Sequence, residues 1–164
     1  HHFASKADLA RALVSRYAAG DVDALERIMT KAEAESDDPA EQVVAFVRLF
    51  EEEADELAGE QPGCLYVSFV YEKQLFDDGT NDLIVDAVVA WRERLREKLE
   101  QAVATRPPRI AVDLPSLADQ VFTVFEGGFI LARTMRDPAR LRAQLRHLRH
   151  YLELLFGLDE SAAR

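Results

Sequence analysis

Glu126 is the residue whose position in this sequence most suggests binding chemistry. It lies in the run Phe122-Thr-Val-Phe-Glu-Gly-Gly-Phe129, which holds no other charged residue. A carboxylate among apolar side chains needs a partner, because burial removes the water that stabilises its charge. The sequence leaves two partners open: an arginine elsewhere in the chain, or a positively charged ligand.

Large aromatic residues accompany Glu126 on four predicted helices. Any one of them could simply belong to the core, but as a set they would suit an apolar cavity between helices, where a few polar groups orient a small molecule. We therefore predict a ligand-binding set made of Phe46, Phe50, Tyr66, Phe69, Trp91, Phe122, Phe125, Glu126 and Phe129.

The other ionisable clusters are predicted to be surface or interface groups. The acidic residues between Glu51 and Glu60 crowd one helix, and metal ligands on a helix would need partners from another element, so a solvated face is favoured. His147 and His150 could offer two metal ligands, but they lie among arginines and suit a surface or an interface better. No phosphate-binding loop, metalloprotease helix or cysteine pair occurs. We expect no metal, no cofactor and no enzyme activity.

The composition limits the class of protein. The chain has 164 residues, of which 48% are apolar, and this balance suits one soluble domain. Thirty acidic against 20 basic residues give a net charge of −10; such a surface binds nucleic acid poorly, because phosphate contacts need Lys and Arg. No apolar run approaches the ~20 residues of a membrane span. The single Cys64 excludes an internal disulfide.

Apolar periodicity and helix caps predict an all-α fold of about six helices. Ser5 caps a long first helix from about Lys6, with a break or kink near Gly20, and Asp38-Pro39 begins the second helix. Residues 64–71 alternate like a strand but have no partner strand, so a short helix is favoured. Its inward residues would be Tyr66, Phe69, Val70 and Leu75. A turn over 76–82, with an N-cap at Thr80 or Asn81, precedes a helix over 83–104.

The last two helices are predicted over 117–136 and 139–156, with a loop through Pro115 before them and Asp137-Pro138 between them. Leucines recur every three or four residues in the final helix, as in packed helix seams. Gly127-Gly128 costs about 2 kcal/mol relative to alanine inside a helix, which favours the close approach of another helix. A pair this apolar suits a second copy of the chain. The predicted dimer interface comprises Gly128, Leu131, Ala132, Met135, Leu141, Leu145, Leu148, Leu152 and Leu155.

Three segments together resemble the tetracycline-repressor family of transcriptional regulators. His2-Phe3-Ala-Ser-Lys6-Ala-Asp-Leu9 resembles the junction that follows the family's DNA-recognition helix. Pro62-Gly-Cys-Leu65 is similar to the start of a mid-domain helix in one branch. The run Phe125-Glu-Gly-Gly-Phe-Ile-Leu-Ala-Arg133, followed by Asp137-Pro138 and a leucine-rich helix, resembles the family's last two helices.

The resemblance implies a function and a division of the chain. Residues 1–4 would end a helix-turn-helix domain, and residues 5–164 would form the ligand-binding and dimerisation domain, with Lys6 touching a DNA phosphate. The implied protein is a cytoplasmic homodimeric repressor that releases operator DNA when a small apolar effector, which could carry a positive charge, binds. Two alternatives stay open: a dimerisation module without a ligand, and a small helical enzyme with an acid–base pair in the aromatic cavity.

Overall fold

Six α-helices make up the part of the chain that the structure describes. The structure is a computed structural model, and it describes residues 3–60, 64–71 and 78–158. No β-strand occurs among these residues, and the predicted all-α fold is confirmed. No described helix has both the length and the apolar character that crossing a membrane requires. The helices are α1 (Lys6–Glu35), α2 (Pro39–Glu60), α3 (Leu65–Tyr71), α4 (Asp78–Thr105), α5 (Leu114–Met135) and α6 (Ala139–Phe156).

Helix α1 is one uninterrupted helix of 30 residues. The Ser5 hydroxyl accepts a hydrogen bond from the Asp8 N–H at 3.1 Å and donates one to the Asp8 carboxylate at 2.8 Å, so the predicted cap is confirmed. The predicted break near Gly20 is wrong, because α1 continues through this residue. One glycine weakens a helix by only about 1 kcal/mol, and burial of Val14 and Leu25 on either side offsets that cost.

Asp38 begins α2 and joins it to the end of α4. Its Oδ1 accepts a hydrogen bond from the Ala40 N–H at 2.9 Å, and its Oδ2 accepts one from Arg106 Nη2 at 2.6 Å. Burial acts to raise the pKa of Asp38, but the bonds from Arg106 and Ala40 outweigh it and lower that pKa. The cap predicted at Asp38 is confirmed.

Glu51 departs from the predicted solvated acidic face. Its side chain is largely buried, and its two oxygens accept hydrogen bonds from Arg146 Nε and Arg149 Nε, each at 2.8 Å. Burial acts to raise the pKa of Glu51, but these two arginines outweigh it and lower the pKa. The prediction is wrong at this position because both partners come from α6, far along the chain, and helical spacing within α2 carries no sign of them.

Helix α3 confirms the short helix predicted after Cys64. Tyr66 and Phe69 are buried, as predicted, and they pack in a small apolar cluster with α1 and α4. Val70 is 55% exposed, contrary to the prediction, because the single turn between Tyr66 and Phe69 already uses the inward side of this seven-residue helix. Leu75 lies outside the described residues.

Helix α4 begins earlier than the sequence predicts. Its first residue is Asp78, so the predicted N-cap at Thr80 or Asn81 is wrong. An acidic residue in the first turn complements the helix dipole. Thr80 is buried inside the helix. Residues 72–77, which include the start of the predicted turn, lie outside the described part of the chain.

Helix α5 also begins before the predicted boundary. Asp113 is its N-cap and accepts a hydrogen bond from the Ser116 N–H at 2.8 Å. The predicted loop through Pro115 is therefore too long by two residues. Proline fits the first turn of a helix, because the backbone N–H that it lacks would have no partner within the helix there.

A tight turn joins α5 to α6. Arg136 ends α5 in the left-handed conformation with φ 53°, and its N–H turns back to the last carbonyls of the helix. Asp137 then accepts a hydrogen bond from the Ala139 N–H at 3.2 Å, which confirms the predicted role of this aspartate. The turn sets α5 and α6 side by side, and they pack against each other.

The leucine seam of α6 lies inside the chain. Its members are all at most 3% exposed and belong to one core with α2 and α5. Their predicted place in the dimer interface is wrong, because the leucine spacing reports burial against neighbouring helices without saying which chain supplies them. The residues concerned are Leu141, Leu145, Leu148, Leu152 and Leu155.

Gly128 and Ala132 also belong to the contact within the chain. A Cβ atom on Gly128 would lie 2.6 Å from Leu141 Cδ1 and 3.3 Å from Leu141 Cα, whereas one on Gly127 would meet nothing within 4 Å. The predicted close approach is therefore real at Gly128, but its partner is α6 of the same chain. The interface role predicted for Gly128 and the buried Ala132 is wrong for the same reason.

Four apolar residues of α5 and α6 remain exposed. Leu131 and Met135, both predicted interface residues, are 40% and 54% exposed, and Ile130 and Leu154 are 51% and 53% exposed. We call these four residues the α5–α6 surface. It is the part of the helix pair that a second copy of the chain could still cover.

Candidate ligand-binding site

A cavity of about 490 Å³ lies among α1 to α5. This volume is within the range of small-molecule sites in proteins. Helix α1 supplies the largest share of the wall, and α5 forms much of another side. The residues that line the cavity are Leu13, Arg16, Tyr17, Gly20, Asp21, Ala24, Phe50, Leu57, Cys64, Leu65, Tyr66, Trp91, Phe122, Phe125, Glu126 and Phe129.

Aromatic rings from three helices pack together behind the cavity wall. Phe50 of α2 contacts Phe125 of α5 edge-on, with ring centroids 4.8 Å apart, and Trp91 of α4 lies 5.9 Å from Phe50 and 6.0 Å from Phe125. Such edge-to-face contacts contribute beyond apolar burial. The wall is therefore a rigid, apolar surface.

Asp21 of α1 is the most connected polar group of the cavity. Its Oδ2 accepts hydrogen bonds from Trp91 Nε1 at 2.9 Å and from the Tyr66 hydroxyl at 3.1 Å. Burial raises the pKa of Asp21, and these two hydrogen bonds oppose the rise. One carboxylate thus ties α1 to both α3 and α4.

Two tyrosines meet beside Asp21. The rings of Tyr17 and Tyr66 stand edge to face with centroids 5.0 Å apart. Burial raises the pKa of both hydroxyls, and the negative charge of Asp21 adds to the effect. Both tyrosines therefore stay protonated at neutral pH and act as hydrogen-bond donors within the cavity.

Glu126 has a thiol as its partner instead of an arginine. Burial raises the pKa of Glu126; the hydrogen bond with Cys64 opposes the rise, and the charge of Asp21 increases it. Burial and the charge of Glu126 in turn raise the pKa of the Cys64 thiol to about 12. Cys64 is therefore a neutral donor at pH 7, without the thiolate that a nucleophile needs.

The structure brings together seven of the nine residues predicted to bind a ligand. Phe46 is fully buried behind the wall, where its ring packs on Phe50 and Trp91. Phe69 packs in the smaller cluster of α1, α3 and α4. These two residues support the site from the core, and neither lines the cavity.

Sequence reasoning missed the contribution of α1. Tyr17, Gly20, Asp21 and Ala24 recur at spacings of three and four, which places them on one side of a continuous helix. The predicted break at Gly20 hid this pattern, because it separated Tyr17 from Asp21. Read without the break, the spacing would have added an acidic residue to the site.

Lys6, the predicted DNA contact, is the first residue of α1 and is exposed. It lies about ten residues before the cavity, along the same helix. His1 and His2 fall outside the described residues, and the predicted boundary between residues 4 and 5 stays a prediction.

Two solved structures share this fold. The regulatory protein TetR from Rhodobacter sphaeroides aligns with a TM-score of 0.70 and 22% identity, over 92% of this chain and 78% of that one. A transcriptional regulator of the TetR family from Agrobacterium tumefaciens aligns with a TM-score of 0.72 and 24% identity, over 95% and 77% of the two chains. No curated protein sequence matches this chain.

A family model settles the classification. The model of the tetracyclin repressor-like C-terminal domain matches residues 39–148, from the start of α2 into α6. The match takes in four of the five helices around the cavity and both helices of the α5–α6 surface. The chain belongs to the family of tetracyclin repressor-like C-terminal domains.

Proposed function

We propose that this chain is the effector-binding and dimerisation part of a transcriptional repressor that releases operator DNA when a small molecule enters the cavity. The observation that carries the proposal is the position of Asp21. It sits on α1, lines the cavity, and bonds to Tyr66 of α3 and Trp91 of α4. A ligand that binds here contacts the hydrogen bonds that fix α1 to the rest of the domain.

The mechanism is a shift between two positions of α1. A ligand that competes for Asp21, or that spreads the walls apart, changes how α1 packs on α3 and α4. In the resemblance described above, α1 is the helix that follows the DNA-reading domain, so its movement would alter the spacing of two such domains in a dimer. A tenfold loss of DNA affinity requires the ligand to favour the released state by about 1.4 kcal/mol.

The cavity supports this function over a dimerisation module without a ligand. A domain that only dimerises has no need of a 490 Å³ space with two carboxyl groups in its wall. An empty space of this size also removes packing contacts, which lowers stability. A bound molecule would restore those contacts, and its binding to the folded state alone would stabilise the domain.

The first test combines ligand binding with DNA release. Compounds of the cavity's size would be screened for a rise in the melting temperature of this chain, and those found would be added to the complete regulator on its operator. We expect binders to release DNA, and Asp21→Asn to change the ligand concentration needed for release. Asp23→Asn, an exposed change on the same helix, serves as the control. Binders that leave DNA affinity unchanged would refute the proposed mechanism.

Dimerisation is proposed to use the α5–α6 surface. Leu131 and Met135 are one helical turn apart on α5, and Leu154 lies exposed on the packed neighbour α6. Sedimentation should show a dimer at micromolar concentration for the native chain. Leu131→Glu together with Leu154→Glu should yield monomer, because a charge buried in an apolar contact is costly. Val85→Glu on α4, also at an exposed valine, is the control. A monomeric native chain would contradict this part of the proposal.

A further inference from the structure

We propose that the effector is an organic cation, an ammonium or amidinium group on a small apolar body, held between Asp21 and Glu126. The inference rests on the proposed function, because it names the chemical class that the effector site takes. The two carboxyl groups come from different helices of the cavity wall, Asp21 from α1 and Glu126 from α5.

The charge of the lining favours a cation. Among the described residues that line the cavity, Asp21 and Glu126 are acidic and Arg16 is the one arginine or lysine. Arg16 is exposed, so water already surrounds its charge, whereas both carboxyl groups are partly withdrawn from water. No hydrogen bond or ion pair from Arg16 to either acid occurs in the described part of the chain. The cavity therefore holds acidic groups that no basic side chain neutralises.

The hydrogen bonds leave room for a donor from a ligand. Both bonds that the described residues make to Asp21 end on Oδ2, so the lone pairs of Oδ1 are left for a bound N–H group. Glu126 has the Cys64 thiol as its partner, and a thiol is only a weak donor. An ammonium donating to either carboxylate would make a stronger, charge-assisted bond.

The aromatic walls suit a cation as well as an apolar body. Tyr17, Tyr66 and Trp91 surround Asp21, and Phe125 and Phe129 lie on the helix that carries Glu126. The faces of such rings attract positive charge, most strongly where water is excluded. An anion would meet these faces and both carboxyl groups with repulsion. A neutral molecule would gain the apolar contacts alone.

The experiment compares three probes of one shape and different charge. They are benzyltrimethylammonium, its neutral carbon isostere neopentylbenzene, and the anion benzylsulfonate, each titrated into this chain by calorimetry at pH 7.5. We expect the cation to bind at least tenfold more tightly than either of the others. Glu126→Gln and Asp21→Asn should each weaken cation binding severalfold while leaving neopentylbenzene binding unchanged.

Matched variants control for general effects of lost negative charge. Glu97→Gln and Asp23→Asn remove exposed acids of α4 and α1 that do not line the cavity, and they should leave all three affinities unchanged. Asparagine at position 21 can still accept the hydrogen bonds of Tyr66 and Trp91, so that variant is expected to fold. Circular dichroism of each variant would verify this.

The possible outcomes separate the inference from the function beneath it. Neutral binding as tight as cation binding, or tighter binding of the anion, would overturn the cation inference and leave the effector site intact. Cation binding that is equally weakened by Glu97→Gln would reduce the effect to net charge and overturn it too. Failure of all three probes to bind at millimolar concentration would count against the effector site itself, and the inference would fall with it.

Discussion

The two adjacent glycines of α5 allow the close packing of α5 on α6 to be tested directly. Gly127→Ala adds a methyl group where nothing lies within 4 Å. Alanine is about 1 kcal/mol more favourable than glycine inside a helix, so this variant should be more stable by about that amount. Gly128→Ala gains the same helix preference but places its Cβ 2.6 Å from Leu141 Cδ1 and 3.3 Å from Leu141 Cα.

The second contact sets the sign for Gly128→Ala. The Leu141 methyl group can rotate away, but the Cα atom can retreat only if α6 itself moves. Overpacking of this kind costs about 1–3 kcal/mol, so the net change should be a loss of about 0–2 kcal/mol. The two variants should then differ by about 1–3 kcal/mol, or several degrees in melting temperature for a domain of this size.

Urea unfolding at one fixed protein concentration would measure both free energies of unfolding. Adding Leu141→Val to each glycine variant gives a further check, because only the Gly128 variant should be relieved by a smaller neighbour. Equal stabilisation by Gly127→Ala and Gly128→Ala would refute the close approach of α5 to α6. A loss at Gly127 that grows with dilution would instead assign that glycine to a contact between subunits.

Three further predictions concern the polar contacts of the fold. Glu51→Gln should lower the free energy of unfolding by about 1–3 kcal/mol, since it leaves Arg149 and the half-exposed Arg146 without their carboxylate; exposed Glu56→Gln, measured by the same urea unfolding, should change it by less than about 0.5 kcal/mol. Trp91→Phe should lose about 1 kcal/mol from the missing bond to Asp21, and it should do so much less in an Asp21→Ala background, which a double-mutant cycle would show. Acid should destabilise the domain, because the hydrogen bond from Lys98 to Glu33 and those from the arginines to Glu51 hold these two pKa values below their ordinary range; that stability is complete above about pH 4.3 and is lost as the pH falls through the folded-state pKa values, and a melting temperature unchanged between pH 5 and pH 3 would contradict it.

The boundaries of the fold could be predicted where the deciding chemistry is local. Ser5, Asp38 and Asp137 each accept a backbone N–H two or three residues later, and that signal is contained in a few letters of sequence. Glu51 could not be assigned in this way, because its arginines lie on another helix and only the folded chain brings them together. The same limit applies to the leucines of α6, whose spacing shows that they are buried but not against what.

The cavity was partly predictable for a related reason. Bulky rings and a lone carboxylate in an apolar run identify candidates for a site, and Phe125, Trp91 and Glu126 do line it. Phe46 differs from Phe50 only by one helical turn, yet that turn puts it behind the wall. Asp21 escaped notice because a surface helix with many acids offers no local sign of which one turns inward.

The apolar character of α5 around its whole circumference follows from three different neighbours. Val121, Phe125, Gly128 and Ala132 face the core; Phe122, Glu126 and Phe129 line the cavity; Ile130, Leu131 and Met135 remain exposed. A helix with one apolar stripe needs only one cover, so the third set calls for something outside the chain. The proposed dimer contact and the cavity then share one rigid helix, although they use separate sides of it. A ligand that pushes on Glu126 would therefore move the exposed side as well, so ligand binding and dimer geometry should be coupled through α5 as well as through α1.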